Sequence, residues 1–300
     1  MQKKTSPTGR NLAPRFKFIE WRLFWEGHLN RSDLEERFGI STPQASVDLR
    51  NYREVAGSNL EYNATEKRFV VSKSMKPKFL RVSANRLLIQ LSAFISGVLR
   101  REDLQFSEVP AADVVPEIIR DVQAEVLQVI LNCIRSGNAV SVQYQSLTST
   151  KWRDIAPHAL AFDGNRWHAR AWCCEHLEFR DFVLTRIKRA DKQKEVSFNP
   201  AHDLAWHRKI ELHLCPHPAL NAEQSDAIER DYDMSKGVRK IEMRIALAFY
   251  FIRLHNLDLE TLEPARAQII LANLPEVEAV IADARKQSKQ LNPDAQDSEP

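Results

Sequence analysis

The hydrophobic period of this chain changes at Gly137, and this change constrains the possible fold more than any other feature. Up to that point apolar residues recur at helical spacing, whereas from Ala139 to Ile187 they alternate with polar ones. Alternation of period two is typical of β-strands with one buried face. Four such segments follow one another, AVSVQYQS, WRDIAPHALAFDG, NRWHARAWCC and FRDFVLTRI, with turns at Ser149, Asp163-Gly164 and Glu175-His176. They predict a small antiparallel barrel or sandwich.

The first 82 residues have the outline of a winged helix-turn-helix. A helix from Pro14 stops at Gly27, a short helix capped by Asn30 or Ser32 ends at Gly39, and a third helix begins at Ser41 or Thr42. The segment LEYNATEKRFVVS then reads as two strands joined by a turn, which predicts a wing. The alternative is a three-helix protein-interaction module followed by an unrelated hairpin.

Charge favours the DNA-binding interpretation of this region. Residues 1–100 hold 18 Lys and Arg against 9 Asp and Glu, whereas the remaining 200 residues hold 25 against 31. A basic segment on an otherwise acidic chain indicates a polyanion as partner. In a helix-turn-helix the last helix enters the major groove. The candidate DNA contacts are therefore Thr42, Gln44, Ala45, Ser46, Asp48, Arg50, Asn51 and Arg53, with Lys67 and Arg68 on the wing.

These candidates divide by chemistry. Gln44 can read adenine through a two-point hydrogen bond, whereas Ser46, Asn51 and Arg53 suit phosphates.

Two apolar helices, Ser83–Arg101 and one after Pro116, are expected to bury their faces against one another or against a second subunit. The last third reads as a small α+β module of strands KIELHLCPHP and ARAQIILAN and helices AEQSDAIERDY, IALAFYFI and LPEVEAVIADARKQ. The apolar run Ile245–Ile252 is a candidate for dimerisation, and an internal core is the alternative. The polar residues 288–300 predict a disordered tail.

The segment NRWHARAWCC places arginines on a strand. His168, Arg170 and Trp172 share one face and Trp167, Ala169, Ala171 and Cys173 the other, and only the second face is expected to be core. Arg166, Arg170, Arg180 and Arg186 would repel one another unless an anion or carboxylates offset them. Nearby acids are few: Asp154, Asp163, Glu178 and Asp181. The alternative to an anion site is that the arginines pair with carboxylates on an outer face of the sheet.

The run RWHARAW, preceded by P-H-x-L and followed by FRDFVLTRI, resembles the WYL domain of bacterial regulators. In that family an Sm-like barrel follows a winged helix-turn-helix, and a C-terminal extension helps to form the dimer. The order of the whole chain is similar to that of phage-defence regulators encoded beside BREX and CBASS operons. The motif departs from the pattern, because its Trp, Tyr and Leu positions hold Trp167, His168 and Ala169.

The resemblance implies an effector pocket for an anionic ligand, either a nucleotide or a nucleic acid. Its candidate residues are Tyr144, Ser146, His158, Arg166, His168, Arg170, Arg180 and Arg186. We therefore expect an α+β protein that represses transcription as a homodimer on an inverted-repeat operator. The expected domains are the winged helix (1–82), a helical linker (83–136), the WYL barrel (137–200), a dimerisation module (201–287) and the tail (288–300).

Other classes of protein find little support. The sequence has no Walker loop, GxSxG or HExxH motif, so an enzyme acting on nucleotides or nucleic acid is the weaker alternative, as is an accessory protein that binds DNA ends or single strands. The histidines and four cysteines have no metal-ligand spacing, and no cofactor is expected. The sequence shows no apolar run of membrane-spanning length and no secretory signal, which indicates a cytoplasmic location.

Overall fold

The computed structural model describes residues 12–116, 118, 120–259, 263–264 and 266–292. The chain forms two compact units that divide after Ile118, here called the N-terminal unit and the C-terminal unit. Within the described residues, no helix has both the length and the apolar character needed to cross a membrane. Of the predicted tail, 288–300, the last eight residues, 293–300, lie outside the described residues.

The N-terminal unit confirms the predicted order of three helices and a hairpin. Its elements are α1 (Leu12–Glu26), β1 (His28–Leu29), α2 (Arg31–Phe38), α3 (Thr42–Ala56), β2 (Leu60–Asn63) and β3 (Arg68–Val71). The strands pair in the order β1-β3-β2. Gly27 and Gly39 end α1 and α2 with φ values of 78° and 60°, a backbone conformation that favours glycine. The two-residue strand β1 was not predicted, because its backbone pairing rather than its sequence defines it.

A buried carboxylate fixes the chain that leaves the wing. The side chain of Glu20 on α1 is fully buried and accepts hydrogen bonds from the Tyr52 hydroxyl at 3.2 Å and from the backbone N–H groups of Lys78, Phe79 and Leu80 at 2.8, 2.7 and 2.6 Å. Because these bonds satisfy the carboxylate, its burial is tolerated. The segment after β3 is thereby held against α1 and α3, which keeps the wing in a fixed relation to α3.

Two helices follow in the region predicted as a linker. Helix α4 (Ala84–Ile95) has Leu91 as its only fully buried residue, whereas Leu88 and Ile89 are exposed. The second helix, predicted after Pro116, is α5 (Ala124–Ser136). Its residues Val126, Ile130 and Cys133 pack on the sheet of the C-terminal unit, and helices are stable chiefly where a face is buried.

That sheet has five antiparallel strands: β4 (Ala139–Gln145), β5 (Thr150–Phe162), β6 (Trp167–Cys173), β7 (Glu178–Val183) and β8 (Ile187–Lys194). Their order is β7-β6-β5-β4-β8. The predicted last strand FRDFVLTRI is divided by a 3₁₀ turn at Leu184–Arg186, which separates β7 from β8. In the part of the chain that the structure describes, no strand pairing joins β7 to β8, so the predicted barrel closure is not observed.

The rest of the C-terminal unit is the predicted α+β module. It contains α6 (Leu204–His207), β9 (Lys209–Pro216), α7 (Ala222–Asp231), β10 (Arg239–Arg244), α8 (Ile245–Leu254), β11 (Ile269–Leu271) and α9 (Leu274–Gln290). The strands pair in the order β10-β9-β11. The apolar run in α8 contributes to an internal core, because Ala248 and Ile252 lie in the core of this module. Phe249 of the same run is half exposed, so it remains a candidate for dimerisation. Helix α9 extends through residues 288–290 of the predicted tail.

The faces of β6 differ from the prediction. Ala169, Ala171 and Cys173 are buried against α5 as expected, but His168, Arg170 and Trp172 on the opposite face are buried too. Trp167, expected in the core, is 47% exposed and packs on Phe162 at the end of the strand. The second face is covered by chain that lies far away in sequence, residues 196–206 and α8, and the alternation within β6 does not contain that information.

Candidate DNA interface and effector site

Helix α3 and the wing enclose an open groove lined by arginines. Its walls are formed by Arg31, Ser46, Leu49, Arg50, Arg53, Glu54, Tyr62 and Phe69. Arg50 and Arg53 lie one turn of α3 apart, and within the described residues neither has a carboxylate at ion-pair distance, whereas Arg15 of α1 and Arg68 of the wing each have one. Unpaired guanidinium groups on a helix face are what a phosphate backbone requires.

The other predicted DNA contacts lie at the beginning of α3, further along α3 and on the wing. Thr42 is exposed at the start of α3, and the Ser46 hydroxyl donates to its carbonyl oxygen at 3.0 Å. Asn51 is partly buried, and Lys67, at the tip of the wing with a φ of 52°, is exposed. Arg68 pairs with Glu66 across the wing turn. These placements leave the wing tip and the N-terminal end of α3 open to a ligand.

Two of the predicted contacts are turned into the protein. Ala45 and Asp48 are fully buried, so neither side chain is available to DNA in this structure. Asp48 Oδ2 accepts a hydrogen bond from Arg15 Nη1 at 2.7 Å, and Asp48 Oδ1 accepts one from Gln44 Nε2 at 2.9 Å. A buried carboxylate with two donors is stable, whereas spacing along α3 alone had suggested an exposed one.

Five residues of the groove were not predicted as DNA contacts: Arg31, Leu49, Glu54, Tyr62 and Phe69. Arg31, the first residue of α2, reaches across to α3, where its Nη1 lies 3.4 Å from the Ser46 hydroxyl. Tyr62 on β2 is half exposed and packs edge-on against Phe69. Arg31 and Tyr62 are residue types that often bind nucleic acid, a basic and an aromatic one. Only the fold, however, brings them beside α3.

The eight predicted effector residues do not form one cluster. Tyr144 lies in the core between the sheet and α5, where its hydroxyl accepts the backbone N–H of Val183 at 3.3 Å. The Ser146 hydroxyl organises the turn after β4 by accepting from the backbone N–H of Ser149 at 2.9 Å. Arg186 lies at the same end of the sheet, because its neighbour Ile187 pairs with Tyr144. Its side chain is partly exposed.

Carboxylates offset three of the four arginines. Arg166 Nε bonds to Asp163 at 3.1 Å, Arg180 pairs with Glu178, and Arg170 bonds to Asp203 and Asp181. Within the described residues Arg186 alone of the four has no carboxylate at ion-pair distance. The pairing alternative therefore describes Arg166, Arg170 and Arg180, whereas no partner of Arg186 is found in the part of the chain that the structure describes.

Arg170 is the centre of a buried ionic network. Its Nε and Nη2 donate to the two oxygens of Asp203 at 2.7 and 2.9 Å, a two-point contact, and its Nη1 lies 3.2 Å from Asp181 Oδ2. The Tyr250 hydroxyl donates to the same Asp181 oxygen at 3.0 Å, and His158 Nε2 lies 3.0 Å from Asp203 Oδ2. Residues of β5, β6 and β7 are thereby bonded to α6 and α8, which covers the second face of the sheet.

Ionisation in this network follows from its geometry. Burial acts to raise the pKa of Asp203, but hydrogen bonds from Arg170 and His158 outweigh burial and lower that pKa to about 2. Burial likewise acts to lower the pKa of Arg170, and its hydrogen bonds and charges from Asp203 and Asp181 raise the pKa above its usual range. Arg170 and Asp203 are therefore both charged at neutral pH.

His168, at the tyrosine position of the motif, is also part of a hydrogen-bonded turn. Its Nε2 lies 2.8 Å from Asp163 Oδ2, and its ring packs against Tyr250 with centroids 5.0 Å apart. Asp163 also accepts backbone N–H bonds from Asn165 and Arg166, both at 2.8 Å. The histidine thus joins the β5–β6 turn to α8 and is not open to solvent.

A cavity of about 180 Å³ lies beside the network, within the C-terminal unit. Arg170, Asp181 and Asp203 form its polar wall, and the aromatic side chains of Trp172, Phe179, Phe249 and Tyr250 form much of the rest. Arg285 and Lys289 of α9 line it as well. Asp203, Tyr250 and α9 were not predicted as part of the site, since none lies within the strand segments that carry the motif.

Comparison with known proteins decides the family. The chain is 35% identical over 280 residues to the DNA-binding transcriptional repressor CapW of Stenotrophomonas maltophilia, which covers 90% of this chain and 92% of the relative. It is 36% identical to CapW of Escherichia coli (strain KTE188) over 89% of this chain and 91% of the relative. The chain belongs to the CapW family of WYL-domain regulators. CapW of Pseudomonas aeruginosa is 37% identical over 272 residues, with the same coverage of 89% and 91%.

Three family models match successive parts of this CapW-family chain. The winged helix-turn-helix domain of the BrxR transcriptional regulator matches residues 11–93, the WYL domain residues 125–192, and the C-terminal dimerization domain of BrxR residues 209–277. The WYL match begins within α5, a helix that lies in the region predicted as the linker. The predicted resemblance is confirmed.

A solved structure is also similar over the length of the chain. The proteasome accessory factor B/C of Arthrobacter aurescens covers 99% of this chain with 52% of its own, at 14% identity and a TM-score of 0.25. No inference rests on so low a score.

Proposed function

We propose that this protein is a cytoplasmic, dimeric transcriptional repressor that binds an inverted-repeat operator of a phage-defence operon. The observation that carries the proposal is the identity of 35–37% to CapW repressors over about nine-tenths of the chain. Two features support it further: the groove of α3 with Arg31, Arg50 and Arg53, and the match to a C-terminal dimerization domain at residues 209–277. A two-fold symmetric dimer presents two such grooves, and its operator repeats the same sequence in inverted orientation.

The operator itself is the first test. DNase footprinting of the promoter region upstream of the protein's own gene and its neighbours is expected to show one protected inverted repeat, with half-sites about one helical turn or a multiple apart. Protection without sequence preference, or only of single strands and DNA ends, would instead support the accessory-protein alternative. Cleavage or turnover of the DNA or of added nucleotides would support the enzyme alternative.

The proposal includes an anionic effector, a nucleotide or an oligonucleotide, bound by the WYL domain. The candidates are the eight residues named from the sequence. They differ in whether their side chains are already engaged in hydrogen bonds within the protein. Arg170, His158 and His168 are engaged in buried hydrogen bonds, which suits a role in holding the sheet to α6 and α8. Arg186 is partly exposed at the end of the sheet where Ser146 begins its turn, and among the described residues none occupies its donors, which leaves them available to an anion.

Replacing Arg186 with Ala is expected to reduce the effect of the effector on operator affinity about tenfold or more, since one charge-assisted hydrogen bond contributes about 1.5–3 kcal/mol. Operator affinity without effector should stay at the wild-type value, because the N-terminal unit is unchanged. The measurement is a gel-shift titration with and without short oligonucleotides and cyclic nucleotides. Arg189→Ala is the matched control, as Arg189 is an exposed arginine on the same strand region whose contact is with Asp191. A variant that binds operator weakly yet responds to effector like the wild type would contradict the assignment.

A further inference from the structure

Asp48 occupies an unusual place for a carboxylate in the helix proposed to bind DNA. Its side chain is fully buried in α3, whose neighbouring Arg50 is exposed on the surface of the groove. A buried carboxylate is stable only when donors satisfy it. Arg15 Nη1, from α1, donates a hydrogen bond to Oδ2 at 2.7 Å, and Gln44 Nε2, one turn earlier in α3, donates one to Oδ1 at 2.9 Å.

The second of these bonds fixes the orientation of the Gln44 amide. A glutamine amide has a donor end and an acceptor end, and rotation by half a turn exchanges them. A carboxylate accepts hydrogen bonds and donates none, so only the NH₂ end of Gln44 can face Asp48. Arg15 holds the other oxygen of the carboxylate, which prevents Asp48 from turning away.

The bond leaves the Gln44 amide with a defined set of free groups. One N–H of Nε2 is used by Asp48, and within the described residues the second N–H and both lone pairs of Oε1 have no hydrogen-bond partner. A neighbouring N–H donor and carbonyl acceptor are the pair that the major-groove edge of adenine requires, since its N7 accepts and its N6 amino group donates. Gln44 is partly exposed, at the beginning of α3 where such contacts are made.

We propose that Asp48 is a positioning residue that sets the base preference of Gln44 for adenine by holding its amide in one orientation. The inference rests on the proposed DNA-binding function and names a determinant of specificity within it. A fixed amide has already lost the rotational freedom that binding would otherwise remove. The affinity for adenine, which matches this orientation, therefore rises relative to the affinity for the other bases. Asp48 itself touches no base.

The test compares Gln44 and Asp48 at one base pair. Wild-type protein is titrated against its footprinted operator and against operators substituted singly at each position, and Gln44→Ala identifies the A·T pair at which discrimination is lost. Wild-type discrimination at that pair is expected to be roughly 5- to 100-fold, the range of a two-point contact. In Asp48→Asn, the new carbonyl oxygen faces Arg15 and the new NH₂ group faces Gln44, whose amide must then rotate. Discrimination should fall to less than about threefold at that same pair.

A matched variant separates positioning from mere stability. Ile19 of α1 is fully buried among the apolar side chains of the N-terminal core. Ile19→Val is expected to lower the melting temperature while leaving discrimination at every base pair unchanged. The inference is overturned if Asp48→Asn keeps wild-type discrimination, if Ile19→Val loses it equally, or if Gln44→Ala alters no base preference of a wild-type protein that does bind one site. A wild-type protein without any preferred site would instead overturn the proposed function.

Discussion

Replacing Arg170 with Met is expected to lower the free energy of unfolding of the C-terminal unit by about 3–5 kcal/mol, the usual cost of removing one partner of a buried ionic pair. Arg170 is 8% exposed, and Asp203, its two-point partner, is fully buried. Without the guanidinium, the carboxylates of Asp203 and Asp181 would face each other without their shared cation in a largely buried site. For a unit of this size, such a loss corresponds to a decrease of about 10 °C in the melting temperature.

The control for this variant is an arginine on the neighbouring strand. Arg180 pairs with Glu178, but its side chain is 43% exposed. Because solvent screens exposed ion pairs, Arg180→Met should cost less than about 1 kcal/mol. Both variants are measured by urea and thermal unfolding at neutral pH, where Asp203, with its pKa lowered to about 2, is charged. Equal destabilisation by the two would show that the Arg170 network adds no more than a surface pair does.

Local rules were sufficient to predict the three helices and the hairpin of the N-terminal unit. Its helices end at Gly27 and Gly39, which adopt positive φ, and its third helix has Pro43 in the first turn, where no hydrogen bond is lost. These signals lie within a few residues of the element that they bound. The same holds for the turns of the sheet, such as Asp163-Gly164, where the Asp163 side chain accepts the backbone N–H groups that follow it.

The predictions that failed concern residues buried by segments far away in the sequence. Period-two alternation identifies a face buried against one neighbour, so Ala169, Ala171 and Cys173 were assigned correctly. The second face of β6 is buried by α6 and α8, which supply Asp203 and Tyr250 to the polar residues there. Asp203 lies 33 positions after Arg170, and no pattern in the sequence joins the two.

The candidate DNA site shows the same limit within a single helix. Helical spacing placed Asp48 near the residues that face DNA, but α1 covers that position and supplies Arg15 as its partner. Exposure of Arg50 and the groove of Arg31, Arg50 and Arg53 agree with the expectation from charge. The residue types of a DNA-binding surface were thus predictable from sequence, and the direction of each side chain required the packing of α1 on α3.

Replacing Arg50 and Arg53 together with Ala is expected to weaken binding to all DNA sequences and to reduce the salt dependence of binding. Both arginines line the groove between α3 and the wing, without a carboxylate partner in the described residues. Each phosphate contact adds about 0.9 to the slope of log K against log salt, so the slope should decrease by about 1.8. If each charge-assisted contact contributes about 1.5 kcal/mol, affinity for the operator should fall by roughly 100-fold.

The loss should be uniform, because phosphates carry no base sequence. Operator and a scrambled duplex of the same length are therefore titrated at several salt concentrations, and their affinity ratio in the double variant should remain close to that of the wild type. Arg189→Ala combined with Lys286→Ala removes the same charge from exposed positions of the C-terminal unit and serves as the control. If the control reduces the slope as much as the double variant does, net charge rather than the groove governs binding. If the double variant keeps the wild-type slope, the groove of α3 does not hold the phosphate backbone.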